Sequence, residues 1–294
     1  MFKKGERQVY WPTFKTVFRY ILICHVLFLL IPSQVDAAIV RERHEYEKTG
    51  HVFWEIPTDE KIVALTFDDG PDRTNTPLIL DVLKKYGAKA TFFVVGKNVK
   101  ENADVVQRTI MEGHELGNHT YTHTYNESIN QATLTTEMNK TDMLLLELFA
   151  IKPTFFRPVG GYYNDLIIET AIEAKHDVFL WSWHQDTRDW ANRNKKQLSA
   201  QVLNNIRPGD VILFHDGGGD RTPTIEAIKE IIPALQDEGY SFLTLSEMVD
   251  RHKFSSKQTK HNAGLSFSAA SLYEVKRVLL LMLLDNLYKQ SKLQ

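Results

Sequence analysis

Between residues 56 and 250 the chain alternates seven times between a short apolar run and a helix-period stretch. The runs lie at 62–67, 91–95, 115–116, 154–156, 178–181, 211–214 and 241–244. They are continuous rather than alternating, as strands buried on both faces require. The stretches between them, at about 76–86, 98–112, 131–149, 164–175, 196–206, 223–238 and 246–251, carry helical spacing. Ile225, Ile228, Ile231, Ile232 and Leu235 show it most plainly, and Gly87, Gly113, Gly209 and Gly239 fall where helices stop. Repeated strand–helix alternation predicts a parallel sheet with crossover helices. About 195 residues suit one closed or nearly closed β/α barrel better than two domains.

The ends of the chain read differently. Lys3, Lys4, Arg7, Lys15 and Arg19 precede an apolar run of about 12 residues at 20–31, interrupted only by His25. Val35 and Ala37 then place small residues at the −3 and −1 positions of a cut before Ala38. This predicts a secretory signal peptide over 1–37. The run is shorter than the roughly 20 residues that span a bilayer, so cleavage is favoured over a permanent anchor, and membrane contact follows only if the leader stays. The only cysteine, Cys24, lies in that leader, so neither a disulfide framework nor a cysteine-based zinc site is available. A secreted chain without cysteine points to a bacterial envelope. The net charge of −2 gives no basic face for nucleic acid. Residues 38–56 form a lead-in, 57–251 the catalytic domain, and 252–294 a polar linker and helical tail. In that tail, seven apolar residues at 278–284 follow Lys276 and Arg277; they suit a helix packed on the domain or lying on a membrane surface.

In parallel β/α folds the chemistry sits beyond the carboxyl ends of the strands. Reactive side chains follow five of the seven runs: Asp68 and Asp69; His119 and His123; Arg157; Asp186, Asp189 and Trp190; His215 and Asp216. Two adjacent carboxylates at a strand end can divide two tasks, one holding a cation and one accepting a proton. Gly70-Pro71 turns the chain directly after them. Histidines four residues apart share a face of a helical turn and, with Asp69, make a two-His, one-carboxylate set for a divalent metal. Either motif alone would be explained by a solvated Asx turn or by surface histidines. His114 and Glu115 read as structural, because the metal already has three donors. Arg157 can clamp a carboxylate. The glycines behind it let backbone N–H groups approach a ligand. His215 can serve as a general acid if a carboxylate raises its pKa. Trp181 and Trp183 read as packing, and Trp190 as the wall of a small pocket.

Five segments in this order resemble the polysaccharide deacetylases, carbohydrate esterase family 4: Thr66-Phe67-Asp68-Asp69-Gly70-Pro71, residues 117–123 ending His119-Thr120-Tyr121-Thr122-His123, Phe156-Arg157-Pro158-Val159-Gly160-Gly161, Asp186-Thr187-Arg188-Asp189-Trp190 and Ile212-Leu213-Phe214-His215. The resemblance covers about residues 57–250 and implies an α/β fold, a distorted seven-stranded (β/α) barrel in a single catalytic domain. It implies a hydrolase that removes N-acetyl groups from an N-acetylglucosamine-containing polysaccharide and releases acetate. Asp69, His119 and His123 would hold one divalent metal ion, zinc, with cobalt, nickel or manganese as alternatives. Asp68 would be the general base, oriented by Arg157, and His215 the general acid, partnered by Asp189. Trp190 and Leu213 would wall the acetyl pocket, and the Gly160 N–H would bind the oxyanion. The family often has Pro and Tyr where this chain has Val159 and Gly160, so Tyr162 or Tyr163 is expected to replace the missing aromatic wall.

Three rivals remain at this stage: a catalytically weak glycan-binding member of the same fold, an O-acetyl esterase of the xylan type, and a non-haem iron oxygenase. The last needs an antiparallel double sheet, which this pattern does not predict. A glycoside hydrolase using Asp68 and Asp69 is disfavoured, because neighbouring residues rarely flank one bond from opposite sides. The expected protein is a secreted or envelope-associated bacterial monomer acting on a polysaccharide.

Overall fold

The computed structural model describes residues 40–124 and 129–255. Among the described residues eight strands are formed: β1 (Val52–Phe53), β2 (Ile62–Asp68), β3 (Ala90–Val94), β4 (Glu115–Asn118), β5 (Phe155–Phe156), β6 (Asp177–Phe179), β7 (Val211–His215) and β8 (Ser241–Phe242). The helices among them are α1 (Arg43–Glu47), α2 (Asn75–Tyr86), α3 (Gly96–Glu101), α4 (Ala103–Met111), α5 (Gln131–Phe149), α6 (Asp165–Glu173), α7 (Lys195–Leu203) and α8 (Thr222–Asp237). A last helix runs from 245 to 255. All strand pairings are parallel, in the order β1-β6-β5-β4-β3-β2-β7. This is the α/β barrel that the alternation predicts, in one domain.

Each of the seven predicted runs falls on a strand, β2 to β8, but the membership of the wall differs. The seventh wall strand is β1, only two residues long and therefore without a readable pattern. β8 lies off the path and pairs only with Ile62 and Val63 at the start of β2. The predicted helix 98–112 is two helices. Asn102, at φ −128° and ψ 42°, breaks it, and its side-chain amide bonds the carbonyls of Pro71 and Asn98.

Side chains alternate between the inside and outside of the wall, as the pleat requires. Val63, Leu65 and Phe67 of β2 point outward into a cluster with α2 and α8. Ile62 and Ala64 point inward, to Phe93, Phe155, Phe179 and Val211. Leu245, Met248 and Val249 of the last helix join this inner cluster and close the barrel floor. That helix starts with a capping box: Thr244 Oγ1 accepts from the Glu247 N–H, and Glu247 Oε2 from the Thr244 N–H at 2.8 Å. By the same alternation Thr66, Asp68, Arg157, Leu213 and His215 point inward above the apolar layer.

β1 and β7 end the sheet, and separate links bridge the seam between them. The Ile56 N–H donates to Gly209 O, and the Ser182 N–H to Val211 O, each at 3.0 Å; Asp186 and Leu213 form an isolated bridge. Beside the seam lies a cavity of about 510 Å³, lined in part by Val52, Phe53, Ile56, Pro57, Val249 and His252. Among the described residues no helix is long and apolar enough to cross a membrane. The leader at 1–37 and the apolar run at 278–284 lie outside the described residues.

Leu245 is fully buried in the floor. Leu245→Ala is expected to destabilise the domain by about 2–5 kcal/mol, the usual range for a buried Leu→Ala. Denaturant unfolding of the two proteins checks this.

Candidate active site

The barrel interior changes character at Arg157. This guanidinium follows β5 and is fully buried. Its Nε donates to Phe179 O at 2.9 Å and its Nη2 to Leu180 O at 2.6 Å. Nη1 donates to Thr66 Oγ1 at 2.9 Å and to Asp68 Oδ1 at 2.8 Å. The guanidinium carbon lies 4.0 Å from the centre of the Phe93 ring. Burial pulls the Arg157 pKa down and the Asp68 charge opposes it. Asp68 thus has one oxygen fixed, while its Oδ2 lies 4.0 Å from His119 Nε2.

Asp69 takes φ 76°, a left-handed conformation uncommon for a residue with a side chain. The turn after it is held from below. A Cβ at Gly70 would collide with the Asp216 carboxylate, so only glycine fits there. Asp216 accepts from the Gly70 N–H at 3.1 Å and from Thr76 Oγ1 at 2.6 Å. Burial pushes its pKa up to about 7, against the Thr76 bond and with help from the Asp69 charge. Asn98 of α3 donates to Asp69 O at 2.8 Å.

His123 Nε2 lies 2.8 Å and His119 Nε2 3.5 Å from Asp69 Oδ1. One donor atom from each of Asp69, His119 and His123 lies within 4.8 Å of the others. The His119 Nδ1 sits 2.7 Å from Arg157 O; a carbonyl only accepts, so Nδ1 carries the proton and Nε2 faces the acid. This is the arrangement that orients a metal-binding imidazole, and the donor set fits a divalent cation with an open side. Burial alone would raise the Asp69 pKa, but hydrogen bonds from His119 and His123 hold it well below the carboxylate range. The histidines do not converge on a helix face as predicted. They flank a bend with φ 65° at Thr120 and 57° at His123.

Across the mouth, His215 Nδ1 lies 2.6 Å from Asp189 Oδ1. Asp189 Oδ2 accepts from the His215 N–H and from Thr224 Oγ1. Burial would lower the His215 pKa, but the bond to Asp189 and the nearby carboxylates raise it. Asp189 is shifted down: burial works against this, and His215 outweighs it. Asp68, Asp69, His119, His123, Gly160, Trp181, Asp186, Trp190, Leu213 and His215 line one cleft of about 360 Å³. With Val159, which also lines it, eleven residues from six chain segments meet there, including every predicted site residue that can touch a ligand; Arg157 and Asp189 stand behind them.

Several expectations are corrected. Trp181 packs against the core as expected and also lines the cleft, with its ring over Gly161 where a Cβ would collide. Trp183 does not pack in the core; it is 59 % exposed, with the Arg43 guanidinium over its ring at 5.5 Å. The missing aromatic wall is not supplied by Tyr162 or Tyr163. Both pack in the cluster behind β5 and β6, and Tyr163 meets Tyr46 and Trp54 edge-on. His114 lies buried against Phe92, its pKa pushed down to about 4 by burial, and Glu115 is tied to Thr91 and Ser246. Neither belongs to the donor set. Thr224 and Glu137 bond to the site from helical stretches and carried no sequence signal beyond being polar, whereas Asp216 was marked by its place directly after the β7 run.

Gly160 adopts φ 66°. Gly160→Ala would place a side chain in the left-handed region at a cost of about 1–2 kcal/mol. Turnover is expected to fall several-fold with the fold intact, measured by steady-state kinetics alongside thermal unfolding.

The sequence profile described as Polysaccharide deacetylase matches residues 55–179. A peptidoglycan-N-acetylglucosamine deacetylase of Bacillus cereus is 46 % identical over 211 residues, 70 % of this chain and 97 % of that protein. The crystal structure of the Bc1960 peptidoglycan N-acetylglucosamine deacetylase superposes with a TM-score of 0.67 at 36 % identity, covering 70 % of this chain and 95 % of that one. A family 4 acetyl xylan esterase from Clostridium thermocellum, solved with a cobalt ion, is 35 % identical with a TM-score of 0.59, covering 64 % and 90 %. With its parallel barrel and the cleft at the strand ends, the chain belongs to the polysaccharide deacetylases of carbohydrate esterase family 4.

Proposed function

We propose that this deacetylase removes N-acetyl groups from N-acetylglucosamine in peptidoglycan or a related envelope glycan and releases acetate. The observation that carries the reading is one cleft in which Asp68 and His215 both face the Asp69, His119 and His123 donor set. The named relatives support the amino-sugar and peptidoglycan assignment. The same reading includes a leader over 1–37 that is cleaved, a catalytic domain over 57–251, and action in the bacterial envelope as a monomer.

Asp69, His119 and His123 would hold one divalent cation, zinc by its preference for imidazole and carboxylate ligands. Bound there, it supplies a Lewis acid for the acetyl carbonyl and for water. Asp68 Oδ2 takes the proton of the attacking water, while Oδ1 stays clamped by Arg157. The Gly160 N–H donates to the developing oxyanion. Trp190 and Leu213 wall the acetyl methyl group. His215, protonated and backed by Asp189, gives a proton from Nε2 to the departing nitrogen as the C–N bond breaks. Acetate leaves and a free amine remains.

The test is acetate release by the full chain from peptidoglycan, chitin oligomers, poly-N-acetylglucosamine and acetylated xylan. Release from the amide substrates is expected, lost on chelation and restored by zinc or cobalt. Release from xylan alone would make the protein an ester hydrolase, and full turnover by metal-free protein would remove the metal from the reading.

The His215–Asp189 pair sets a pH dependence. A raised His215 pKa keeps the acid protonated to higher pH, and activity falls as pH rises through it. Asp189→Asn removes the carboxylate that raises it, so the alkaline limb of the rate–pH profile is expected to move to lower pH. An unmoved limb would assign it to another group.

A further inference from the structure

The four backbone N–H groups from Thr120 to His123 all end on side-chain oxygens. The Thr120 N–H donates to Asn118 Oδ1 at 2.9 Å, and the His123 N–H to Thr120 Oγ1 at 3.2 Å. The two between them go to one atom. Glu137 Oε2, from α5, accepts the Tyr121 N–H at 3.1 Å, the Thr122 N–H at 2.7 Å and the Thr122 hydroxyl at 2.8 Å. Glu137 is buried. Asn118 is tied to the same helix, donating to Met138 O at 2.9 Å and to Asp142 Oδ1 at 2.7 Å. Asp142 in turn holds the buried His176 Nε2 at 2.8 Å. On the other side, the Gly96 and Lys97 N–H groups take the carbonyls of Thr120 and Tyr121.

A segment with two non-glycine residues at positive φ does not hold that shape by itself; such residues persist when their surroundings over-determine them. We propose that Glu137 is a positioning residue for the metal site: its carboxylate fixes the bend that sets the spacing of His119 and His123. It is not among the residues that line the cleft. Burial makes each of these bonds stronger than it would be in water. Without it, the N–H groups of residues 121 and 122 lose their acceptor, and the bend relaxes toward ordinary backbone angles. The imidazoles then separate from the geometry that brings three donors together.

This rests on the metal assignment above, and zinc binding tests the two separately. The full chain is stripped of metal and titrated with zinc against a chromophoric chelator. Glu137→Ala is expected to weaken zinc binding at least about tenfold, the scale for losing a group that orients metal ligands. Glu137→Gln retains an oxygen acceptor and is expected to stay nearer wild type than Glu137→Ala. If Glu137→Ala does not fold, Glu137→Asp decides: its carboxylate is one methylene too short to reach both N–H groups in place, and zinc binding should weaken with the far-ultraviolet spectrum unchanged. A purely structural role predicts lower unfolding temperature with unaltered zinc affinity in the Ala or Asp variant, and that result overturns the proposal. So does a Gln variant as weak as Ala, which would make charge rather than the acceptor oxygen the cause. A wild-type chain that binds no zinc would instead overturn the choice of cation.

Discussion

A guanidinium with no contact with water has to be matched group by group, and Arg157 is so matched. Two carbonyls, a threonine hydroxyl and a carboxylate meet its donors, and an aromatic face lies beneath it. Losing one partner of such a buried charged pair typically costs about 3–5 kcal/mol. The pairing therefore fixes three things together: the end of β2, the turn after β5 and the carbonyls following β6. It also divides the barrel. Below it the interior is hydrocarbon closed by a helix; above it every inward position carries reactive or ligand-facing side chains. The Arg157 carbonyl extends the same control to His119 by accepting from its Nδ1.

The two halves of the chemistry come from opposite sides of this support. The donor set is made by turns after β2 and β4, both strained at positive φ and each held by a helix-borne side chain. His215, the proposed acid, ends β7, with Asp189 and Thr224 behind it. The adjacent carboxylates are placed for the two tasks proposed for them because the chain reverses direction between them: Asp68 ends a strand and points in, whereas Asp69 takes a left-handed angle and faces the histidines. The parallel wall removes the oxygenase reading, which needed a double antiparallel sheet.

What could be read in the sequence was what repeats or co-occurs. Continuous apolar runs located β2 to β8, and residues directly after them located the cleft. Short elements and close approaches were not legible. β1 has two residues and no period. The break at Asn102 depends on a side chain reaching Pro71, and a spacing of four suggested a helix at His119–His123 because periodicity does not report backbone angles. Trp183 looked like core because hydrophobicity does not say which side of a turn a residue faces. Glu137, an acid within a helical stretch, looked like any solvated position, and only tertiary contact separates it from its neighbours.

The seam between β1 and β7 has a consequence of its own. Around β2 the wall is a ladder of four or five register pairs on each side, whereas β4 and β5 share only the Asn118–Phe156 pair. Across the seam the links at Ile56–Gly209, Ser182–Val211 and Asp186–Leu213 are spaced apart, with a cavity beside them. Side chains reinforce these links, the Val211 N–H donating to Ser182 Oγ at 3.1 Å and Thr187 Oγ1 to Leu213 O at 2.6 Å. Asp186 and Leu213 belong both to the seam and to the cleft. Two of the residues that close the barrel therefore also shape its mouth, so a change at either position bears on the closure of the wall and on the form of the cleft together.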